Sequence, residues 1–172
     1  MKLEKLEHQV CPVCHKKTLT LTEGETEVPY FGKVYVFGMD CSNCDFKKHD
    51  VEAEKPQGKV KYSLEISSED DMNIRVVKSS AATIKIPRIF TIEPGPASEG
   101  YITNIEGIFQ RAKEVIQDIR DNSDDGAERK KAKNLLKKIQ RIMWGQDKIK
   151  ITLEDPTGNS AIVSEKAKKS KL

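Results

Sequence analysis

The chain has 172 residues, 37% apolar and 33% charged, enough for one domain with an ordinary core and a small appendage. No run of about 18 apolar residues occurs, which excludes a membrane-spanning helix. The net charge of +3 is unevenly spread: residues 1–54 carry 7 basic and 10 acidic side chains and residues 55–172 carry 23 and 17, so an acidic region precedes a basic one.

Met1 to Val10 is charged, lacks the apolar run of a signal peptide, and reads as a short polar leader. Cys11-Pro12-Val13-Cys14 follows and, after 26 residues, Cys41-Ser42-Asn43-Cys44; these hold all four cysteines. Two Cys-x-x-Cys turns, each aiming two sulfurs at one point, are the common way to build a four-thiolate zinc site. Two disulfides would need an oxidising compartment. A thioredoxin-like redox pair would need one such motif beside a βαβ pattern. The spacing therefore points to one structural Zn2+ on Cys11, Cys14, Cys41 and Cys44, in a reducing cytoplasm. Four protein sulfurs leave no open coordination position for chemistry. His8, His15 and His49 then read as ordinary surface histidines.

Between the cysteine pairs, Thr18 to Thr22 alternates with the two-residue period of a strand. Val28-Pro29-Tyr30-Phe31-Gly32 is punctuated as a turn, and Lys33 to Phe37 is a β-branched and aromatic strand. Phe46 to Glu52 reads as a third strand. This is the plan of a zinc ribbon, expected over 1–54, with a core too small to dispense with its metal. The Pro29–Gly32 aromatics read either as an exposed patch or, favoured, as packing against the next domain.

Pro56-Gln57-Gly58 marks a boundary. A β domain over 55–163 follows, with alternating segments at Val60–Ile66, Met72–Val76, Ala82–Ile86 and Ile89–Glu93. The roughly ten-residue spacing without helical crossovers suggests a sandwich or barrel. A helical hairpin is inserted at about 103–145. Its first helix starts at a capping box, Thr103-Asn104-Ile105-Glu106, with Thr103 as the cap. Its second runs from about Ala127 to Trp144, closed by Gly145 and anchored by Trp144. Apolar faces on both helices and a short loop imply antiparallel packing. Lys130, Lys133, Lys137 and Arg141 fall at helical spacing opposite the apolar face. They are either a solvated face or a docking stripe for an acidic or phosphate-bearing partner. Ile149 to Leu153 and Ala161 to Val163 read as a last β-hairpin around Asp155-Pro156-Thr157-Gly158-Asn159. Ser164 to Leu172 reads as a basic disordered tail.

Cys11-Pro12-Val13-Cys14, Val28-Pro29-Tyr30-Phe31-Gly32, Thr103-Asn104-Ile105-Glu106-Gly107 and Asp155-Pro156-Thr157-Gly158-Asn159-Ser160, in this order, resemble the ZPR-type zinc-finger family over about residues 10–163. The resemblance implies a mainly β, α+β architecture: a four-cysteine zinc ribbon, then a double-stranded β-helix (jelly-roll-like) domain carrying an inserted antiparallel helical hairpin. It implies the short, single-module archaeal form. Family members often have glycine where this chain has Asp45, so the resemblance implies a positive φ there, which aspartate tolerates.

The function the resemblance implies is a non-enzymatic protein-interaction module. Its partner would be translation elongation factor one-alpha, the GTPase that carries aminoacyl-tRNA, whose folding or handling it would assist. The alternative is a nucleic-acid-binding ribbon protein contacting RNA or a tRNA complex through the basic helix and tail. An enzyme is disfavoured: from residue 58 onward there is no histidine, no Gly-rich phosphate loop and no Ser/His/Asp set. Neither a membrane nor a small-molecule substrate is expected.

Overall fold

The computed structural model describes residues 2–29, 31–55 and 58–172. Tyr30 of the aromatic turn and Pro56-Gln57 of the expected boundary lie outside these residues. Lys2–Gln9 (β1), Leu19–Val28 (β2), Gly32–Cys41 (β3) and Lys47–Ala53 (β4) form an antiparallel sheet in the order β1-β2-β3-β4. The segment read as a leader is therefore an edge strand. Its alternating charges suit that place, because charge on an edge discourages further strand pairing.

The second domain is built from Val60–Ile66 (β5), Arg75–Lys78 (β6), Thr83–Ile86 (β7), Phe90–Ile92 (β8), Tyr101–Asn104 (β9), Ile149–Asp155 (β10), Ala161–Val163 (β11) and Lys168–Lys171 (β12). Five strands lie in the order β12-β5-β10-β7-β8 and three in the order β11-β6-β9. The period-two pattern of β5 puts Val60, Tyr62, Leu64 and Ile66 inside, where they meet Ile84, Ile86, Ile151, Leu153, Val76 and Ile162. The result is a jelly roll. Two helices, Ile105–Asn122 (α1) and Gly126–Met143 (α2), close one side with Ile108, Phe109, Ile139 and Ile142. Lys113 Nζ donates to Gln140 Oε1 (3.3 Å), joining the middle of α1 to the late part of α2 in an antiparallel hairpin.

The ribbon has little core of its own. At one end Cys11, Leu19 and Cys41 cluster with Leu21 and Phe46. At the other, Val28, Val34 and Val51 pack on Val77, Ile102 and Val163 of the three-stranded sheet. Phe31 touches both that junction and the jelly-roll core, which is the packing role favoured for the aromatic turn.

Several expectations are corrected. Met72 lies in a 3-10 turn over Glu69–Asn73 and not in a strand; Asp71 Oδ2 accepts the Ser67 and Ser68 N–H groups (2.9 and 3.1 Å) and holds that turn. The cap of α1 is Asn104, the last residue of β9, whose Oδ1 accepts from Gly107 N–H (2.8 Å). Glu106 is thus one turn-position off the capping role read for it. A Cβ on Gly107 would come within 2.2 Å of Thr103 Oγ1, so a side chain at this strand-to-helix corner would have to displace that hydroxyl. No hairpin joins β10 to β11: β11 pairs with β6, in the other sheet. The basic tail is ordered as β12 beside β5, from Lys168 opposite Ser63 to Lys171 opposite Val60, and Lys166 Nζ donates to the buried Asp71 (2.6 Å).

Candidate metal centre and partner-facing surfaces

The two Cys-x-x-Cys turns have the same backbone. Cys11 N–H donates to Lys16 O and Cys41 N–H to Phe46 O, both at 2.9 Å. His15 (φ 57°) and Asp45 (φ 54°) occupy equivalent left-handed positions, each four residues after the first cysteine of its pair. The positive φ expected at Asp45 is present. Sequence reading missed that His15 is its counterpart and holds a turn.

The four Sγ atoms lie within 4.8 Å of one another, with Cys11–Cys44 and Cys14–Cys41 each at 3.7 Å. A zinc–sulfur bond of about 2.3 Å gives a tetrahedral edge of about 3.8 Å, so the sulfurs fit the ion. Their ionisation fits as well. The Thr18 hydroxyl, 3.3 Å from Cys41 Sγ, and the amides of Asn43 and Cys44 lower the Cys41 thiol to about 6, against the effect of burial. Cys44 is pushed up to about 12: the Phe46 amide favours its thiolate, but burial and the surrounding sulfurs outweigh it. Sulfurs so close resist ionising together, and a divalent cation between them removes the conflict. The site is one four-cysteine centre consistent with a single structural Zn2+. Thr18, beside the metal ligands, was read only as strand.

His8 and His15 are exposed, as read. His49 is corrected: its Nε2 lies 3.3 Å from Asp40 Oδ2 of β3 and its Nδ1 3.2 Å from Glu99 Oε1 of the jelly roll. Burial lowers its pKa, but the two carboxylates win and the net displacement is upward.

The Asp155–Ser160 motif is a clasp between the domains. Asp155 is 0% exposed. It accepts from Thr157 N–H and Oγ1 (2.7 Å each), Asn159 N–H (3.1 Å), Ser79 Oγ (2.9 Å) and Ser160 Oγ. Asn159 Oδ1 then accepts Ala53 N–H of the ribbon (3.1 Å). Beside it, ribbon Asp50 accepts both the amide and the hydroxyl of Ser80. Burial raises the Asp155 pKa, yet its donors hold the carboxyl below the ordinary range. No local pattern could have found these partners, since Ser79 and Asp155 are 76 residues apart.

On α2, Lys130, Lys133 and Lys137 are exposed opposite the buried Ala132, Ile139 and Ile142, and none has a carboxylate in ion-pair range among the described residues. Arg141 differs, because it grips Asp147 through two hydrogen bonds (2.9 and 3.0 Å). Trp144 is 57% exposed and does not anchor the helix. Gly145 (φ 66°) ends it in a Schellman turn, its N–H on Ile142 O and the Gln146 N–H on Arg141 O.

Residues 3–56 match the family model described as the ZPR1 zinc-finger domain, and residues 70–172 match the ZPR1 jelly-roll domain. The chain is 37% identical over 165 residues to an uncharacterised ZPR1-like protein of Methanocaldococcus jannaschii, covering 95% of this chain and 83% of that protein. A ZPR1-like protein of Pyrococcus horikoshii is 35% identical over 176 residues, covering 99% and 79%. The zinc finger chaperone zpr1 of Schizosaccharomyces pombe is 30% identical over 142 residues; these cover 80% of this chain but 30% of that longer protein. With both domains matched in order, and archaeal relatives aligned along nearly its whole length, the chain belongs to the ZPR1 zinc-finger family.

Proposed function

We propose that the protein is a non-enzymatic, cytoplasmic interaction module that binds translation elongation factor one-alpha and assists its folding or handling. The observation that carries this reading is membership of a family with a relative named as a zinc finger chaperone. The metal, with four sulfurs around it, holds the ribbon and leaves no position for a substrate. Lys130, Lys133 and Lys137 supply an exposed cationic face for an acidic patch on the partner, with Arg141 held at its end by Asp147. Such a face chiefly steers and selects, and its contribution falls with ionic strength.

Calorimetry with purified elongation factor one-alpha, in its GDP and GTP forms, tests the reading. The expected result is stoichiometric association that slows when the three lysines are changed to glutamate. Absence of association in both nucleotide states overturns it. The same unpaired lysines favour a second reading, RNA phosphate binding. That reading requires a gel shift at low salt that weakens steeply as salt is added.

A further inference from the structure

The jelly roll has an open cleft of about 590 Å³ between β8, the β8–β9 loop and one flank of α1. Three features of it point the same way. First, β8 is the last strand of its sheet, with β7 as its ladder partner and, among the described residues, no backbone hydrogen bond on its other edge. Phe90, Thr91 and Ile92 all line the cleft. Since side chains alternate along a strand, three consecutive lining residues mean that the backbone edge itself faces the opening.

Second, the apolar lining does not end with the cleft. Ala112 and Ile116 form its buried wall, Val115 at its mouth is 62% exposed, and Ile119, one turn further along α1, is 42% exposed. From Arg111 to Ile119 the helix rises about 12 Å, the span of about four extended residues and longer than a compact metabolite.

Third, Arg111 brings a positive charge to the cleft that no carboxylate pairs among the described residues. Arg111 stacks on the Tyr101 ring, its Cζ 4.3 Å from the centroid, and makes no ion pair among the described residues. The Tyr101 hydroxyl has no hydrogen-bond partner there either. Lys78 is buried beneath them, its Nζ donating to the carbonyls of Ser79 (2.9 Å) and Glu99 (3.3 Å), and its charge is balanced by the nearby carboxylates of Asp50 and Asp155, so Arg111 is the cation left for a ligand. Of the two acids on the rim, Glu99 is taken by His49, and Glu93 is exposed to solvent.

We propose that this cleft binds an extended, acidic–apolar segment of a partner protein, which adds a strand to the free edge of β8 and places a carboxylate on Arg111 and Tyr101. Backbone bonds to β8 supply affinity, and the alternation of apolar and acidic side chains supplies the choice of segment. The apolar side chains lie on Phe90, Ile92 and Val115. This rests on the reading of the protein as an interaction module and adds a surface separate from the lysine face of α2.

The probe is an eight-residue peptide alternating valine or isoleucine with glutamate, compared with the same peptide carrying lysine for glutamate. Binding is followed by amide chemical shifts of the zinc-loaded full chain. The expected result is shifts confined to 90–92, 101 and 111–119. Affinity should drop at least tenfold for the lysine peptide, for Arg111→Glu and for Val115→Glu, while Lys137→Glu leaves it unchanged. Equal binding of both peptides, shifts elsewhere, or no binding of the acidic peptide overturns the proposal. The assay contains no elongation factor, so the outcomes separate. Cleft shifts without elongation-factor association defeat only the proposed function, and association without cleft shifts defeats only the cleft.

Discussion

Replacing Asp155 by asparagine changes no volume and removes one acceptor, which makes it a sharp probe of the clasp. Oδ1 accepts the Thr157 N–H and hydroxyl, and Oδ2 accepts the Asn159 N–H and the hydroxyls of Ser79 and Ser160. An asparagine must point its amide nitrogen at one of these sets. The hydroxyls can rotate to accept from it, but a backbone N–H cannot. The cheaper choice therefore leaves Asn159 N–H facing another donor against the fully buried Asp155 position. One orphaned buried donor, with the loss of charge assistance, costs about 2–3 kcal/mol. Asp155→Ala, which orphans all the donors, costs about 3–5 kcal/mol by analogy with broken buried ion pairs. Urea unfolding at pH 7 with zinc present measures both. Because Asn159 holds Ala53 N–H, hydrogen exchange at Ala53 should quicken in Asp155→Asn more than at Leu64 in the core. The Asp155 carboxyl is held low, so its stabilisation is complete above the ordinary aspartate pKa and is lost as pH falls through the depressed folded value. The asparagine variant should lack that acid limb. A change under about 0.5 kcal/mol, with unaltered exchange at Ala53, would refute the clasp.

Removing zinc with a chelator, or changing Cys41 to serine, should unfold the knuckle end of the ribbon while the jelly-roll amides keep their shifts; elemental analysis of the intact protein should give one zinc per chain. His49 has a raised pKa, so the stability it adds is complete below the ordinary histidine value and is lost as pH rises through the folded one; His49→Gln should flatten this part of the pH–stability curve without changing zinc content. Asp71, lowered to about 2 by Lys166 and the Ser67 and Ser68 donors despite its burial, should contribute on the order of 2 kcal/mol that disappears between about pH 4 and pH 2, and Asp71→Asn should remove that transition. Asn104→Ala should cost about 1 kcal/mol and Thr103→Ala markedly less, the reverse of what the capping-box pattern alone implies.

What could be read in the chain was what is local or periodic. The cysteine spacing gave the metal centre, the two-residue alternation from Val60 to Ile66 gave a buried strand face, and the apolar stripes gave both helices. What escaped depends on partners far along the chain. Asp155-Pro156-Thr157-Gly158-Asn159 has the composition of a hairpin turn, but Ser79 and Ala53 make it a crossover and a clasp. The capping residue shifted by one because Thr103 and Asn104 are both good caps, and only the point where β9 gives way to α1, after Asn104, decides between them. Lys168 to Lys171 has the composition of a disordered tail, yet an edge strand tolerates such charge, and β5 offers it a ladder. Tryptophan at a helix end suggests an anchor, but the Schellman turn at Gly145 closes α2 without it.

The ribbon is supported at both ends by different physics. β2 and β3, ten residues each, span about 33 Å, with the sulfur cluster at one end and the valines packed on Val77 at the other. Neither cluster alone is large enough to hold so long a sheet. The metal fixes the local turns but says nothing about where the ribbon points. Direction comes from links along β4 to the jelly roll: Asn159 holds Ala53 at the valine end, Ser80 holds Asp50 in the middle, and His49, nearer the sulfurs, joins Asp40 to Glu99. These polar links demand correct geometry in a way apolar packing does not, so they set the angle between the ribbon and the helical hairpin. Metal loss and clasp loss should therefore differ in kind. The first melts the far end and leaves the ribbon docked, whereas the second leaves the zinc turns intact and frees the ribbon to swing. A partner that grips ribbon and helices together would lose affinity in both cases, but only after clasp loss would it meet a correctly folded zinc centre in the wrong place.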